Sequence, residues 1–248
     1  MRRGLTVLAV IPARGGSKGI PRKNMMKLAG TTLVGHAAQV ALSISWLDHI
    51  VLSTDDEELA SEGVAQGLEI IHRPAALATD EASSVDVWRH AWLASEGARG
   101  EEFELGVLLQ PTSPLRSADD VTASVDLLIE AERDSVISVS PTPSHFAPEK
   151  LIILDPEGGA GAYLGEGFIA TRQAIPDYFF LNGYCYAARR RRIVEERRIL
   201  GPNVGAHVID RQVVNIDDPF DLDLAEWLLT GRMIDGAEPG RPTRARGE

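Results

Sequence analysis

Short apolar runs alternate with amphipathic stretches through the first 140 residues. Residues 5–12, 49–54, 105–110 and 135–139 read as strands, and 68–72 as extended chain. Residues 32–44, 57–66, 83–95 and 118–132 carry helical spacing; in the third of these Val85, Trp88 and Trp92 recur on one face. Gly106-Val107-Leu108-Leu109 is apolar without alternation, as a central strand buried on both sides should be. Regular strand–helix alternation predicts an α/β fold, a mostly parallel sheet with helices on both faces. Ligands of such sheets lie beyond the carboxyl ends of the strands. The loops starting at Arg14, Asp55, Arg73 and Gln110 are therefore expected on one rim.

The pattern breaks after about residue 140. Pro141, Pro143, Pro148, Pro156 and the glycines of 158–167 predict an irregular excursion or a small sub-domain. Residues 178–186 form an aromatic, strand-like segment, 189–200 a basic helix, 213–217 a short strand and 221–229 a helix. From about Gly231 the chain is rich in Gly, Pro, Arg and Glu and reads as a disordered tail over 231–248. Residues 1–230 are thus expected to make one domain.

Composition narrows the partners. The 248-residue chain has a formal net charge of −11, which argues against a nucleic-acid or anionic-membrane partner. No apolar run is long enough for a membrane span, and the basic start Met1-Arg2-Arg3 leads into too short an apolar run for a signal peptide. The single cysteine, Cys185, excludes an internal disulfide framework and fits a reducing cytoplasm. The six histidines show no zinc-type spacing.

Against that acidic background, Arg14-Gly15-Gly16-Ser17-Lys18-Gly19-Ile20-Pro21-Arg22-Lys23-Asn24 follows the first strand with four cations and three glycines. Glycines let backbone N–H groups turn toward an anion, and the cations supply countercharge, so the loop is suited to a polyphosphate. It contains Gly-x-Ser-x-Gly, the pattern of a hydrolase nucleophile elbow, but Ile20-Pro21 disfavours the helix an elbow needs. Asp55 and Asp56 read as helix caps. Arg73-Pro74 at the next strand end presents either a solvated arginine or a donor to a base or phosphate. Ser83 or Ser84 opens the following helix. Gln110-Pro111-Thr112-Ser113-Pro114-Leu115-Arg116 is a stiff polar loop closing the most apolar strand. Asn215 and Asp217, two apart on a strand, would point the same way, toward a hard cation such as Mg²⁺; Asp218 and Asp221 read as caps of the last helix. Arg189–Arg192 with Arg197 and Arg198, interleaved with Glu195 and Glu196, read as a solvated helix face.

Together these motifs, with Ser53-Thr54-Asp55, Leu77-Ala78-Thr79-Asp80, Asn182-Gly183 and Tyr186, resemble the acylneuraminate cytidylyltransferase (CMP-N-acetylneuraminic acid synthetase) family across residues 6–229. The resemblance implies a Rossmann-like fold of the nucleotide-diphospho-sugar transferase type, and transfer from CTP to a 2-keto sugar acid. It implies Arg14, Lys18 and Lys23 as catalytic cations and Arg14, Gly15, Gly16, Ser17, Lys23, Asn24, Arg73 and Ser84 around the nucleotide. It further implies Gln110, Lys150, Arg172, Asn182 and Tyr186 around the sugar acid, with Arg172 facing its carboxylate. Mg²⁺ would fall to Asp217 and Asn215, and residues 141–186 would form the dimerisation arm of a homodimer. One position departs from the family's Asp-Ile-Asp: Asn215 brings an oxygen but no charge, so metal affinity should fall. Open beside this are a legionaminic, pseudaminic or octulosonic acid or a phosphonate as acceptor, a serine hydrolase built on Ser17, and a non-catalytic nucleotide-binding module.

Overall fold

The computed structural model describes residues 1–17, 19–165, 173 and 175–231. In chain order the elements are β1 (Val7–Pro12), the short pair β2 (Lys27–Leu28) and β3 (Thr31–Thr32), α1 (Leu33–Ser43), β4 (His49–Thr54), α2 (Glu57–Ala65) and β5 (Glu69–His72). There follow α3 (Ser84–Arg99), β6 (Leu105–Leu108), α4 (Ala118–Glu130), β7 (Ser135–Pro141), the hairpin β8 (Ile152–Leu154) and β9 (Ala160–Ala162), and β10 (Phe179–Arg189). The chain closes with α5 (Arg190–Val194), β11 (Val204–Val208) and α6 (Pro219–Thr230).

Seven strands form the central sheet in the order β11-β7-β10-β6-β1-β4-β5. All pair in parallel except β10, which runs antiparallel to both β6 and β7. The mostly parallel sheet read from the sequence is what forms. β1 alternates between two cores, as strand geometry requires. Val7, Ala9 and Ile11 pack under α1 and α4, whereas Leu8 and Val10 pack against Trp88 and Trp92 of α3 and Ile193 of α5. Caps set the helix starts: Asp56 accepts from the N–H groups of Glu58 and Leu59, and Ser117/Asp120 and Asp218/Asp221 form capping boxes.

Two readings need correction. Residues 213–217 are not a strand. Their alternating Val214 and Ile216 are buried in a small cluster with Ile20, Leu28, Leu33 and Ala225, so the apolar period is satisfied by loop and helix and not by a sheet neighbour. The seventh strand is β11, parallel to β7 at the sheet edge. The basic helix is likewise only α5, five residues long, and is not a solvated face: Arg192 is buried and paired with Glu196 at 2.5 Å, and Arg190 reaches Glu96.

The prolines after β7 divide the excursion into two 3-10 turns, Ser144–Phe146 and Pro148–Lys150, and the β8–β9 hairpin. Residues 179–186, by contrast, belong to the central sheet through β10. The disordered tail read from the sequence lies, apart from Gly231, outside the described residues.

Candidate active site

β1, β4, β5 and β6 are parallel, so their carboxyl ends share one rim. β10 brings its amino-terminal half to the same rim because it runs the other way, with Tyr186 opposite Leu108 of β6. The loop after β1 is built around its own ends. The Asn24 amide, nearly buried, donates to the carbonyl of Arg14 at 3.0 Å, and the Gly15 N–H donates to Asp55 at 3.1 Å. A Cβ at Gly15 would lie 2.6 Å from Asp56, which accounts for the glycine at this position.

The loop's cations divide. Arg14 and Lys23 line a cleft of about 280 Å³, beside Gly16, Ser17 and Asn24. Arg14 pairs with Asp80 at 2.5 Å, and the Lys23 ammonium donates to the Ile216 carbonyl at 2.7 Å and to Asp217 at 3.0 Å. Arg22 takes a left-handed backbone, φ 55°, and turns outward to Asp56 and Glu58. Lys18 lies outside the described residues.

Arg73 closes the far wall. It is not a solvated rim residue: it is 8 % exposed and donates to the Ser53 carbonyl at 2.7 Å and the Ser53 hydroxyl at 3.3 Å. Burial pushes its guanidinium down to about 10, partly countered by Asp55, and no described acid stands within ion-pair distance of it. A buried cation of this kind favours an anionic or carbonyl-bearing ligand. Ser83 caps α3 by accepting from the Val85 N–H. That leaves Ser84, at the positive end of a 16-residue helix, on the cleft wall.

The opposite wall is the loop after β6. Arg116 lies buried beneath it and donates to the carbonyls of Gln110 and Tyr184; burial pushes its guanidinium down to about 10. Gly183, at φ +72°, admits the Gln110 side chain: a Cβ there would lie 2.6 Å from the Gln110 amide oxygen. Gln110 and Ser84 also border a second cleft of about 430 Å³, with Tyr186, Arg197, Arg198 and Leu200 among its walls. The cleft itself was not visible in the sequence, because Arg197 and Arg198 lie in a charged run whose other members serve structure.

The remaining candidates are dispersed. The Asn182 side chain is turned into the fold: its carbonyl accepts from the Ser138 hydroxyl at 2.6 Å and the Tyr184 N–H at 3.1 Å, and its amide donates to Ser140 at 3.0 Å. Lys150 sits on the 3-10 turn before β8 and lines neither cleft. Arg172 lies outside the described residues. Asn215 and Asp217 are exposed and line neither cleft; Asp217 pairs with the Lys23 ammonium at 3.0 Å, and the Asn215 amide lies by Gly183. Among the described residues no three His, Cys, Asp or Glu side chains converge as a metal cage. One carboxylate and one amide oxygen suit a hard cation whose other ligands come from substrate phosphates. No histidine lines either cleft, so Ser17 has no base of the kind a serine hydrolase uses.

The chain is 31 % identical over 235 residues to a CMP-N,N'-diacetyllegionaminic acid synthase of Legionella pneumophila, covering 93 % of this chain and 97 % of the relative. It is 29 % identical over 220 residues to an N-acylneuraminate cytidylyltransferase of Escherichia coli, covering 88 % of this chain and 51 % of that longer relative. Its fold is that of a CMP:2-keto-3-deoxy-manno-octonic acid synthetase solved with CTP, at a TM-score of 0.67 and 17 % identity, over 91 % of this chain and 99 % of the other. The family model for cytidylyltransferases matches residues 8–196, and the chain belongs to the cytidylyltransferase family.

Proposed function

We propose that the protein transfers the cytidylyl group of CTP to the anomeric hydroxyl of a 2-keto sugar acid, a sialic acid or related nonulosonic acid, and releases pyrophosphate. The observation that carries this reading is the junction of two clefts at Gln110 and Ser84, one lined by Arg14, Lys23 and Arg73 and the other by Tyr186. Two substrates held there have their reacting atoms side by side, which is where positional catalysis gains most. The sugar acids named for the Legionella and Escherichia relatives are of this chemical class.

In this reading Arg14 and Lys23, with Lys18, neutralise the triphosphate, the Gly16 N–H and the Ser17 hydroxyl donate to it, and Asn24 and Gly15, whose N–H is taken by Asp55, hold the loop's shape. Arg73 and Ser84 face the cytidine, and Gln110 and Tyr186 orient the sugar acid. The anomeric oxygen attacks the α-phosphorus, the bond to the β-phosphate breaks, and pyrophosphate leaves against the loop cations. The hydroxyl proton passes to water or to a substrate group. Mg²⁺, held by Asp217 with Asn215 as a neutral oxygen ligand, would supply further countercharge at the phosphates. CTP as substrate and the lone cysteine suit a cytoplasmic enzyme; among the described residues no helix is long and apolar enough to cross a membrane.

A pyrophosphate-release screen of the four NTPs against a panel of keto-sugar acids tests the reading. Release is expected with CTP and a nonulosonic acid; preference for another NTP, or CTP binding without release on any acid, overturns it. Replacing Asn215 by Asp should lower the Mg²⁺ concentration needed for half-maximal turnover, because a charge is added to the ligand set. An unchanged Mg²⁺ dependence would remove Asn215 from it.

The homodimer belongs to the same proposal. Ile152, Ile153 and Leu154 of β8 are 51 %, 56 % and 69 % exposed, and Tyr163, Leu164, Phe179 and Phe180 are exposed as well. Apolar surface of this extent around one hairpin marks an interface, and a second copy of the chain is the occupant expected. Ile153→Glu should shift the mass seen in sedimentation equilibrium from dimer to monomer; a wild-type monomer would disprove the interface.

A further inference from the structure

Residues 213–217 carry the two groups assigned to the metal, yet no sheet ladder holds them. Among the described residues their backbone tethers are few. The Asp217 N–H is taken by Asp221 at 2.9 Å as part of the α6 cap, the Ile216 N–H by the Thr112 carbonyl at 2.8 Å, and the Ile216 carbonyl accepts from the Lys23 ammonium at 2.7 Å. Upstream of Asn215 the tether is a side chain: the Val214 N–H donates to the Tyr184 hydroxyl at 3.2 Å.

Tyr184 is fully buried under the site. The Arg211 guanidinium lies over its ring at 5.6 Å and is itself held by the buried carboxylate of Asp120. Its carbonyl accepts from Arg116, which also donates to Gln110. One residue therefore ties two segments together, the Gln110 loop through its carbonyl and Arg116, and the 214–217 segment through its hydroxyl. Val214 and Ile216 are buried in the apolar cluster while Asn215 and Asp217 are exposed, so the position of the chain at Val214 sets where those two residues stand.

We infer that Tyr184 is a positioning residue whose hydroxyl sets the placement of Asn215 and Asp217 relative to the Gln110 loop. The inference rests on the assignment of those two residues to the metal. Tyr184→Phe keeps the ring, the Arg211 contact and the backbone, and removes only the acceptor of the Val214 N–H. Partners one layer behind metal ligands typically change metal affinity by about 10–100-fold when lost.

The test is Mn²⁺ binding to the full chain with CTP and no acceptor, followed by electron paramagnetic resonance. Tyr184→Phe should weaken Mn²⁺ binding by roughly 10-fold or more. The KM for CTP at saturating metal should stay at its wild-type value, and the melting temperature should fall by no more than about 4 °C, the effect of one lost hydrogen bond. Cys185→Ala loosens the same strand where it packs in the core under α4 and touches no tether of 213–217, so it should leave Mn²⁺ affinity unchanged. Wild-type Mn²⁺ affinity in Tyr184→Phe, or an equal loss in both variants, overturns the inference while leaving cytidylyl transfer standing. Wild-type protein that binds no Mn²⁺ with CTP would instead overturn the metal assignment and this inference with it.

Discussion

Lys23→Ala should lower turnover by about 10²–10³-fold, the typical loss when one well-placed donor to developing charge is removed. Lys23 ends the first loop with its side chain 13 % exposed and its ammonium already oriented by the Ile216 carbonyl and Asp217. A cation held in this way needs little reorganisation when a triphosphate enters, which is the condition under which it contributes most. It is also poised for exchange. Under the proposed metal assignment, a phosphate that took the ammonium would free Asp217 as a ligand, so nucleotide and metal should each favour binding of the other. The fold should survive, since Lys23 anchors no apolar cluster. Pyrophosphate release, measured beside the melting temperature, checks both halves. Near-wild-type turnover would take Lys23 out of the reaction. Lys23→Arg should recover only part of the rate, because a planar fork does not reproduce a point charge.

The largest loss of stability is expected at Glu96, far from the clefts. Its carboxylate is 9 % exposed and accepts from Arg190 through two bonds of 2.9 Å, from the Trp92 indole at 2.9 Å and from the Phe103 N–H at 3.1 Å. Burial alone would raise its pKa, but these donors, led by Arg190, outweigh burial and hold it below the ordinary value. Glu96→Ala leaves three donor groups without their acceptor. Breaking a buried pair costs about 3–5 kcal/mol, and the lower end applies here because Arg190 stays near Glu102 and Glu195. That corresponds to a fall in melting temperature of roughly 6–12 °C. The sign with pH follows from the lowered pKa. The contribution is complete above the unfolded value near 4.5 and is lost as pH falls through the folded value, so acid should narrow the gap between wild type and Glu96→Ala. Equal melting temperatures at neutral pH would refute the account.

The parts of this protein legible in its sequence are those decided by neighbours along the chain. Strand and helix periods in the first 140 residues, the caps at Asp56 and Asp218, and the glycine-rich loop after β1 all rest on local sterics and hydrogen bonds. The resemblance that led to cytidylyltransferases rests on short motifs at the ends of strands, and those are local too.

Where reading failed, a distant partner had the deciding influence. Val214 and Ile216 alternate as a strand would, but Ile20, Leu28 and Leu33 bury them without a sheet. β11 has a weak pattern, Val204-Gly205-Ala206-His207-Val208, and becomes a strand because β7 offers it an edge. Arg192 reads as solvated, yet the turn after α5 closes over it. Arg22 reads as a phosphate ligand and is drawn away by Asp56 and Glu58.

The sequence alone therefore determined the mostly parallel α/β core, the cationic, glycine-rich character of the first loop and the family. The tertiary structure decided which cations face the cleft, that Asn182 serves the fold, and that a second cleft adjoins the first at Gln110. The physical reason is that a side chain's final partner is chosen by charge and burial across 36 to 194 residues of sequence, as in Arg22–Glu58 and Lys23–Asp217, and no local pattern records that choice.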